Sequence, residues 1–122
     1  MKRNYRAAII GLGRIATMID DEVEGSNHLL PMSHMGSYLA VDNVEFVGGA
    51  DPYTEQREAF ANKHGVNCLY EDYKTMLERE KPDIVSVCTS ARSVVPIMDC
   101  RYKQYSARLS HLRRDWRCRA CR

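Results

Sequence analysis

The stretch Tyr5-Arg-Ala-Ala-Ile-Ile-Gly-Leu-Gly-Arg-Ile-Ala16 lies near the start of the chain and decides its fold. A short apolar run leads into Gly-x-Gly-x-x-Ala, a pattern typical of a first strand, a tight turn and a helix start. Gly11 permits the turn, Gly13 leaves room for phosphates, and Ala16 lets the helix pack close to the strand. The backbone N–H groups at the helix start are then free to bind the negatively charged phosphates. The stretch therefore predicts a site for a dinucleotide pyrophosphate.

Length and composition predict a single domain without a membrane-spanning segment. The 122 residues, 44% of them hydrophobic, are enough for one core. No apolar run approaches the ~20 residues that span a bilayer, and the run Ala7–Ile10 is too short for a secretion signal. The spacing of the five cysteines suggests no disulfide framework. We therefore expect a cytoplasmic location, with Cys68 and Cys88 reduced, buried and inert in strands.

Strand and helix patterns alternate along the chain, which predicts a parallel sheet with helices on both faces. The predicted strands are Tyr5–Ile10, Val44–Ala50, Val66–Leu69 and Ile84–Cys88. The predicted helices are Arg14–Ile19, a helix capped by Ser33 and ending at Ala40, Thr54–His64 with Gly65 as its stop signal, and Asp72–Glu80. The polar, acidic segment Asp20–Pro31 is predicted to be a loop inserted into the first crossover helix.

An acidic residue at the end of the second strand supports the dinucleotide site, because such a residue binds ribose hydroxyls. Asp51 is in that place. It lies 38 positions after Gly13, where ~20 is usual, and the insertion accounts for most of the excess. A carboxylate at this point repels a 2′-phosphate, which favours NAD over NADP. The alternative role for Asp51 is to cap a helix beside Pro52.

Five segments follow one another in the order of a known family. They are Ala8–Ala16, Val47–Pro52, Ala59–Gly65, Tyr70–Tyr73 and Pro82–Thr89. Together they resemble the N-terminal domain of the Gfo/Idh/MocA oxidoreductases, and Ser33–Tyr38 resembles a subgroup with an acidic insert after the glycine turn. The resemblance implies an α/β fold with a Rossmann-like parallel sheet of order 3-2-1-4, truncated before the fifth strand.

The resemblance also implies a cofactor and the residues that bind it. Members of the family bind NAD(P) in this domain and pass hydride to or from sugars, polyols and related compounds. By resemblance, the pyrophosphate would contact Gly11, Gly13, Arg14 and Ile15, the adenosine ribose would contact Asp51, and the path toward the nicotinamide ribose would be lined by Thr89, Ser90 and Ala91. NAD is the predicted cofactor.

No catalytic residue is assigned, and whether the chain is an enzyme by itself stays open. The resemblance implies a fifth strand ending in Glu-Lys-Pro and a second domain that supplies substrate contacts and a catalytic His. The segment Glu80-Lys81-Pro82 precedes the fourth strand instead, so we predict a helix end. His28 and His34 lie near the insertion and are predicted to have surface or capping roles, with approach to the cofactor as the alternative. We predict no substantial turnover by the chain alone.

The end of the chain departs from this pattern in its charge. Residues 1–99 carry 10 Lys/Arg and 15 Asp/Glu, a net charge of −5, whereas residues 100–122 carry 8 Lys/Arg and one acid, a net charge of +7. We predict a dinucleotide-binding domain over 1–99 and a basic tail over 100–122 that is non-native or disordered. Our hypothesis is a shifted reading frame. Codon degeneracy permits codons for residues 101–108 that, when read from their third base, encode Val-Gln-Ala-Ile-Phe-Cys-Glu, which is similar to the family's fifth strand. Resequencing the gene tests this hypothesis.

Two other functions for the tail remain open. Clustered arginines with Tyr102, Tyr105 and Trp116 suit phosphate contact and base stacking, which would make the chain an NAD-sensing or nucleic-acid-binding protein.

A metal site is the other alternative. Its ligands would be His111, Cys100 and the pair Cys118 and Cys121, but a single Cys-x-x-Cys is a weak zinc signal and we assign no metal.

We also expect an exposed edge of the fourth strand to favour self-association.

Overall fold

A parallel four-stranded sheet organises the residues that the computed structural model describes, which are 3–23, 25, 30–90 and 96–99. Its strands are β1 (Tyr5–Ile10), β2 (Val44–Ala50), β3 (Leu69–Tyr70) and β4 (Ile84–Val87). They lie in the order β3-β2-β1-β4, and every neighbouring pair is parallel. The predicted Rossmann-like α/β sheet of order 3-2-1-4 is therefore confirmed.

Helices cover both faces of this sheet because β1 is apolar on both sides. A π-helical segment (Arg14–Met18) continues into α1 (Ile19–Val23), and α2 (His34–Leu39), α3 (Thr54–His64) and α4 (Tyr73–Glu80) follow. Successive β1 side chains point to opposite faces. One cluster joins Ala8 and Ile10 to Met76 and Leu77 of α4 and to Ile97, while the other joins Ile9 to Ala16, Met35 and Phe60.

Several element boundaries differ from the predicted ones, and α2 and α4 differ by a single residue at one end. The segment predicted to be a loop from residue 20 is helical as far as Val23, and its tertiary hydrogen bonds explain why an acidic stretch stays in the helix. Strand β3 is two residues long and begins at Leu69, and β4 ends at Val87. Cys68 and Cys88 consequently flank strands, and both are partly buried free thiols rather than buried strand residues.

Asp20 ties the return of the inserted segment to the first helix. Its Oδ1 accepts hydrogen bonds from the backbone N–H of Met32 (2.6 Å) and of Ser33 (2.9 Å), and its Oδ2 accepts one from the Ser33 hydroxyl (2.5 Å). Ser33 in turn caps α2, since its Oγ accepts from the Gly36 N–H at 2.9 Å. The predicted cap is confirmed. The end of the insertion, at Met32 and Ser33, is therefore bonded to Asp20, near the start of α1.

The outer edge of β4 and the helix lengths bear on two further predictions. Among the described residues β4 pairs only with β1, and its Ile84 is 36% exposed. Self-association through this edge stays a prediction.

None of the helices in the described ranges is both long enough and apolar enough to cross a membrane. The tail 100–122 lies outside the described residues.

Candidate functional site

The turn after β1 can be built only with glycine at position 11. Gly11 has a φ of +91°, and a Cβ added there would lie 2.8 Å from the carbonyl carbon and oxygen of Cys88. Its N–H donates to the Ala50 carbonyl at 2.8 Å, so the turn lies between the ends of β2 and β4. The backbone conformation and the close packing thus both require a residue without a side chain at this position.

Gly13 is a glycine for a different reason. Its φ of −90° suits any residue, and a Cβ added there would have no heavy atom within 4 Å. Gly13 precedes the π-helical segment, whose first N–H groups have no partners inside the helix. Ala16 is fully buried in that segment. The backbone at Gly13 is therefore open to an approaching group, while Ala16 keeps the helix close to the sheet.

The two other residues predicted along the pyrophosphate are exposed. Arg14 directs its Nε to the Glu22 carboxylate at 2.5 Å, which holds the guanidinium along the first helix. The Ile15 side chain is 41% exposed beside the turn. Both residues lie at the helix start, where their backbone N–H groups rather than their side chains suit an anion.

Asp51 links the end of β2 to the glycine turn. Its side chain is 7% exposed, and its Oδ2 accepts a hydrogen bond from the Leu12 N–H at 3.0 Å. Its Oδ1 accepts from the Tyr53 N–H at 2.9 Å, and Tyr53, not Asp51, is the N-cap of α3. The alternative role as the cap of that helix is therefore wrong. Each carboxylate oxygen keeps a second acceptor position for a ribose hydroxyl.

A cavity of about 330 Å³ opens at the carboxyl ends of the strands, next to Asp51. Its walls are formed by Ile10, Gly11, Ala50, Asp51, Pro52, Glu71, Asp72, Tyr73, Thr89 and Ile97. Apolar groups form most of this wall, and three of its ten residues are acidic. Such a cleft suits a flat aromatic ring joined to a hydroxyl-bearing group, and it disfavours an added negative charge.

The three residues predicted after the fourth strand are only partly placed. Thr89 lines the cavity, and its Cγ2 is 3.0 Å from where a Gly11 Cβ would lie. Ser90 follows at the exposed end of the described segment. Ala91 lies outside the described residues. Thr89 therefore joins the glycine turn and Asp51 at one edge of the sheet.

Seven of the ten residues of the cavity wall were not predicted as site residues, and three of these, Ile10, Ala50 and Pro52, are chain neighbours of predicted ones. Glu71, Asp72 and Tyr73 follow β3 as Asp51 follows β2, and Ile97 belongs to a helical turn at residues 96–99. The carboxyl ends of parallel strands meet at one edge of the sheet. The motif after β3 thus carried a usable signal, whereas the contribution of Ile97 depends on long-range packing.

His34 and Glu80, for which the sequence predicted structural and not catalytic roles, are not part of the cavity wall. His34 Nδ1 is 2.9 Å from the Ser86 hydroxyl of β4, and the Tyr38 hydroxyl also bonds Ser86. Glu80 ends α4 and receives hydrogen bonds from Arg6 and Tyr70. These contacts fasten helices to the sheet. His28 lies outside the described residues.

No metal centre is found in the ranges that the structure covers, where no three His, Cys, Asp or Glu side chains gather as ligands. The proposed Cys118–Cys121 pair with His111 and Cys100 lies outside those ranges.

Comparison with known proteins assigns the family. A family model described as an oxidoreductase family with an NAD-binding Rossmann fold, GFO_IDH_MocA, matches residues 5–110. The chain belongs to the Gfo/Idh/MocA oxidoreductases. The family model thereby confirms the predicted resemblance and the predicted cofactor, NAD. The match ends beyond the predicted domain boundary at residue 99, and that boundary stays a prediction.

Individual relatives agree with this assignment. The D-glucoside 3-dehydrogenase of Escherichia coli (strain K12) is 32% identical over 87 residues, which cover 71% of this chain and 21% of that protein. The oxidoreductase from Agrobacterium radiobacter, solved with NAD+, L-tartaric acid and magnesium, has a TM-score of 0.65 at 14% identity, covering 84% of this chain and 25% of its own. The myo-inositol 2-dehydrogenase of Lactobacillus plantarum has a TM-score of 0.51 at 25% identity, covering 72% and 22%. The chain thus spans about a fifth to a quarter of the length of these relatives.

Proposed function

We propose that the chain binds NAD at the edge of the sheet formed by the glycine turn, Asp51 and Thr89. The observation that carries the proposal is the juxtaposition of an open backbone at Gly13 with the buried Asp51 carboxylate, joined through the Leu12 N–H at 3.0 Å. The pyrophosphate would lie over Gly11–Ile15, where helix-start N–H groups face it. The adenosine would enter the 330 Å³ cavity with its ribose at Asp51.

The remaining predicted residues have supporting roles in this proposal. Gly11 keeps the turn close to β4, and Arg14 and Ile15 offer backbone donors to the phosphates. Thr89 and Ser90 would lead from the cavity toward the nicotinamide ribose, and the same role stays a prediction for Ala91, which lies outside the described residues. The carboxylate of Asp51 faces the ribose hydroxyls and therefore disfavours the 2′-phosphate of NADP.

We propose hydride transfer on a sugar, polyol or related substrate as the reaction of the whole protein. Bound NAD supplies the hydride acceptor. The residues around the cavity would bind the adenosine half and fix its orientation, and we assign no catalytic residue among them. We therefore expect the 122-residue chain alone to bind NAD without turnover. NADH formation by the purified chain with any of a panel of sugars and polyols would contradict this expectation.

A titration of NAD into the purified full chain tests the proposed site. We expect Asp51→Ala to weaken NAD binding at least tenfold, because the ribose loses its acceptors. Glu45→Ala is the matched control, since Glu45 is an exposed carboxylate near the opposite end of the same strand. Circular dichroism of each variant verifies the fold. Wild-type-like NAD affinity in folded Asp51→Ala would overturn the assignment of this site.

A further inference from the structure

We propose that Glu71 is a second determinant of cofactor choice, which together with Asp51 excludes the 2′-phosphate of NADP. The inference rests on the proposed NAD site and concerns its selectivity. Three acidic residues, Asp51, Glu71 and Asp72, are among those that line the 330 Å³ cavity. They differ in how far their charge is compensated by neighbouring groups, and that difference singles out Glu71.

The charge of Asp51 is largely compensated by its surroundings. Its two oxygens accept the N–H groups of Leu12 and Tyr53. The Arg57 guanidinium is also close, because it donates to the Asp51 backbone carbonyl at 2.6 Å and to the Thr54 hydroxyl at 3.0 Å. A cation beside the ribose end of a cavity attracts a phosphate. Asp51 alone therefore opposes a 2′-phosphate less strongly than its position suggests.

Asp72 is compensated in a different way. Its Oδ1 accepts the Lys74 N–H at 3.0 Å and its Oδ2 faces the Thr75 hydroxyl at 3.4 Å, as the N-cap of α4. The positive end of that helix reduces the field of the carboxylate in the cavity.

Glu71 has no such compensation. No hydrogen bond or ion pair reaches its carboxylate from the residues that the structure describes. Its side chain is exposed, so water and salt screen its charge, but no described protein group compensates it. Of the three carboxylates it thus contributes the least compensated negative field toward an incoming dianion.

The expected size of the effect follows from the size of the cavity. A cavity of 330 Å³ is on the order of 8 Å across, and a phosphate carries a charge of about −2. In a water-like dielectric, removing one charge at about that distance changes the affinity of the dianion roughly sixfold at low salt, and about twofold once ions screen it at physiological strength.

The experiment compares NAD and NADP binding to the purified full chain, with NADP measured by displacement of NAD. For Glu71→Gln we expect the ratio of the NADP Kd to the NAD Kd to fall roughly sixfold at low salt and about twofold at physiological ionic strength. Glu45→Gln, which removes an exposed carboxylate near the far end of β2, is the control and should leave the ratio unchanged. Because Glu71 is exposed, its amide variant should fold normally, which thermal unfolding verifies.

The possible results separate this inference from the proposed function. Tight NAD binding with the same ratio in Glu71→Gln, Glu45→Gln and wild type overturns the role of Glu71 alone. A shift in the ratio that does not depend on salt also contradicts it, because the mechanism is electrostatic. Failure of the wild-type chain to bind NAD overturns the proposed site and this inference together.

Discussion

Adding a single methyl group to each glycine of the turn tests the structural account, because the same substitution is expected to have opposite effects at two neighbouring positions. Gly11→Ala should destabilise the fold. Gly13→Ala should leave the fold intact and weaken NAD binding. The contrast depends on backbone conformation and on neighbouring atoms, which differ completely between the two glycines.

The cost of Gly11→Ala has two parts. A side chain at the positive φ of Gly11 (+91°) costs roughly 1–2 kcal/mol. The new Cβ would also lie 2.8 Å from backbone atoms of Cys88, which cannot rotate away, and such overpacking costs about 1–3 kcal/mol. We therefore expect the free energy of unfolding to fall by roughly 2–5 kcal/mol.

Gly13→Ala lacks both costs. At a φ of −90° with no neighbour within 4 Å of the new Cβ, alanine should change the stability by less than ~1 kcal/mol, and reduced unfolded-state entropy favours a small gain. The methyl group would occupy the space through which phosphates approach the backbone. NAD affinity should then fall at least tenfold, which corresponds to about 1.4 kcal/mol of binding free energy.

Urea unfolding followed by circular dichroism measures the first effect, and NAD titration of the folded variants measures the second. The reasoning is refuted if Gly11→Ala is as stable as the wild type, or if Gly13→Ala loses more than ~1 kcal/mol of unfolding free energy. Undiminished NAD binding by a folded Gly13→Ala variant would refute the pyrophosphate position specifically.

Three further predictions concern titratable groups. Burial, aided by the Lys63 charge and opposed by Asp21, lowers the pKa of His64, so the folded state disfavours the charged ring. The contribution of this group to stability should be complete above about pH 6.5 and be lost as the pH drops through the folded pKa. Urea midpoints should show this dependence for the wild type and not for His64→Gln. Asp20→Asn should cost about 1–3 kcal/mol, because its carboxylate accepts three hydrogen bonds from residues 32 and 33, and a loss below ~0.5 kcal/mol in thermal unfolding would contradict the anchoring role. Burial raises the pKa of the Cys88 thiol to about 11, so peptide-resolved alkylation at pH 8 should be roughly a hundredfold slower than for a thiol of pKa 9, and a rate equal to that of a free thiol would contradict it.

Local sequence patterns predicted the helices and strands where the pattern was strong. Val44–Ala50 and Thr54–His64 have the predicted bounds, because one is an apolar run ended by Asp-Pro and the other ends at a glycine in the left-handed region. The segment after Ile19 was misjudged as a loop. Its acidic side chains suggested solvent, but Asp20 and Asp21 are partnered by Ser33 and Lys63, residues that only the tertiary fold brings near.

The candidate site divides in the same way. The sequence by itself determined the glycine turn, the acid after β2 and the strand before Thr89, since each depends on residue type and on spacing within one crossover. Tertiary structure alone decided that Asp51 holds the Leu12 N–H, that Gly11 packs against Cys88 while Gly13 stays open, and that Glu71 shares a cavity with Asp51. The physical reason is that these contacts join the ends of different strands, and their distances follow from strand register and side-chain packing, which no local pattern encodes.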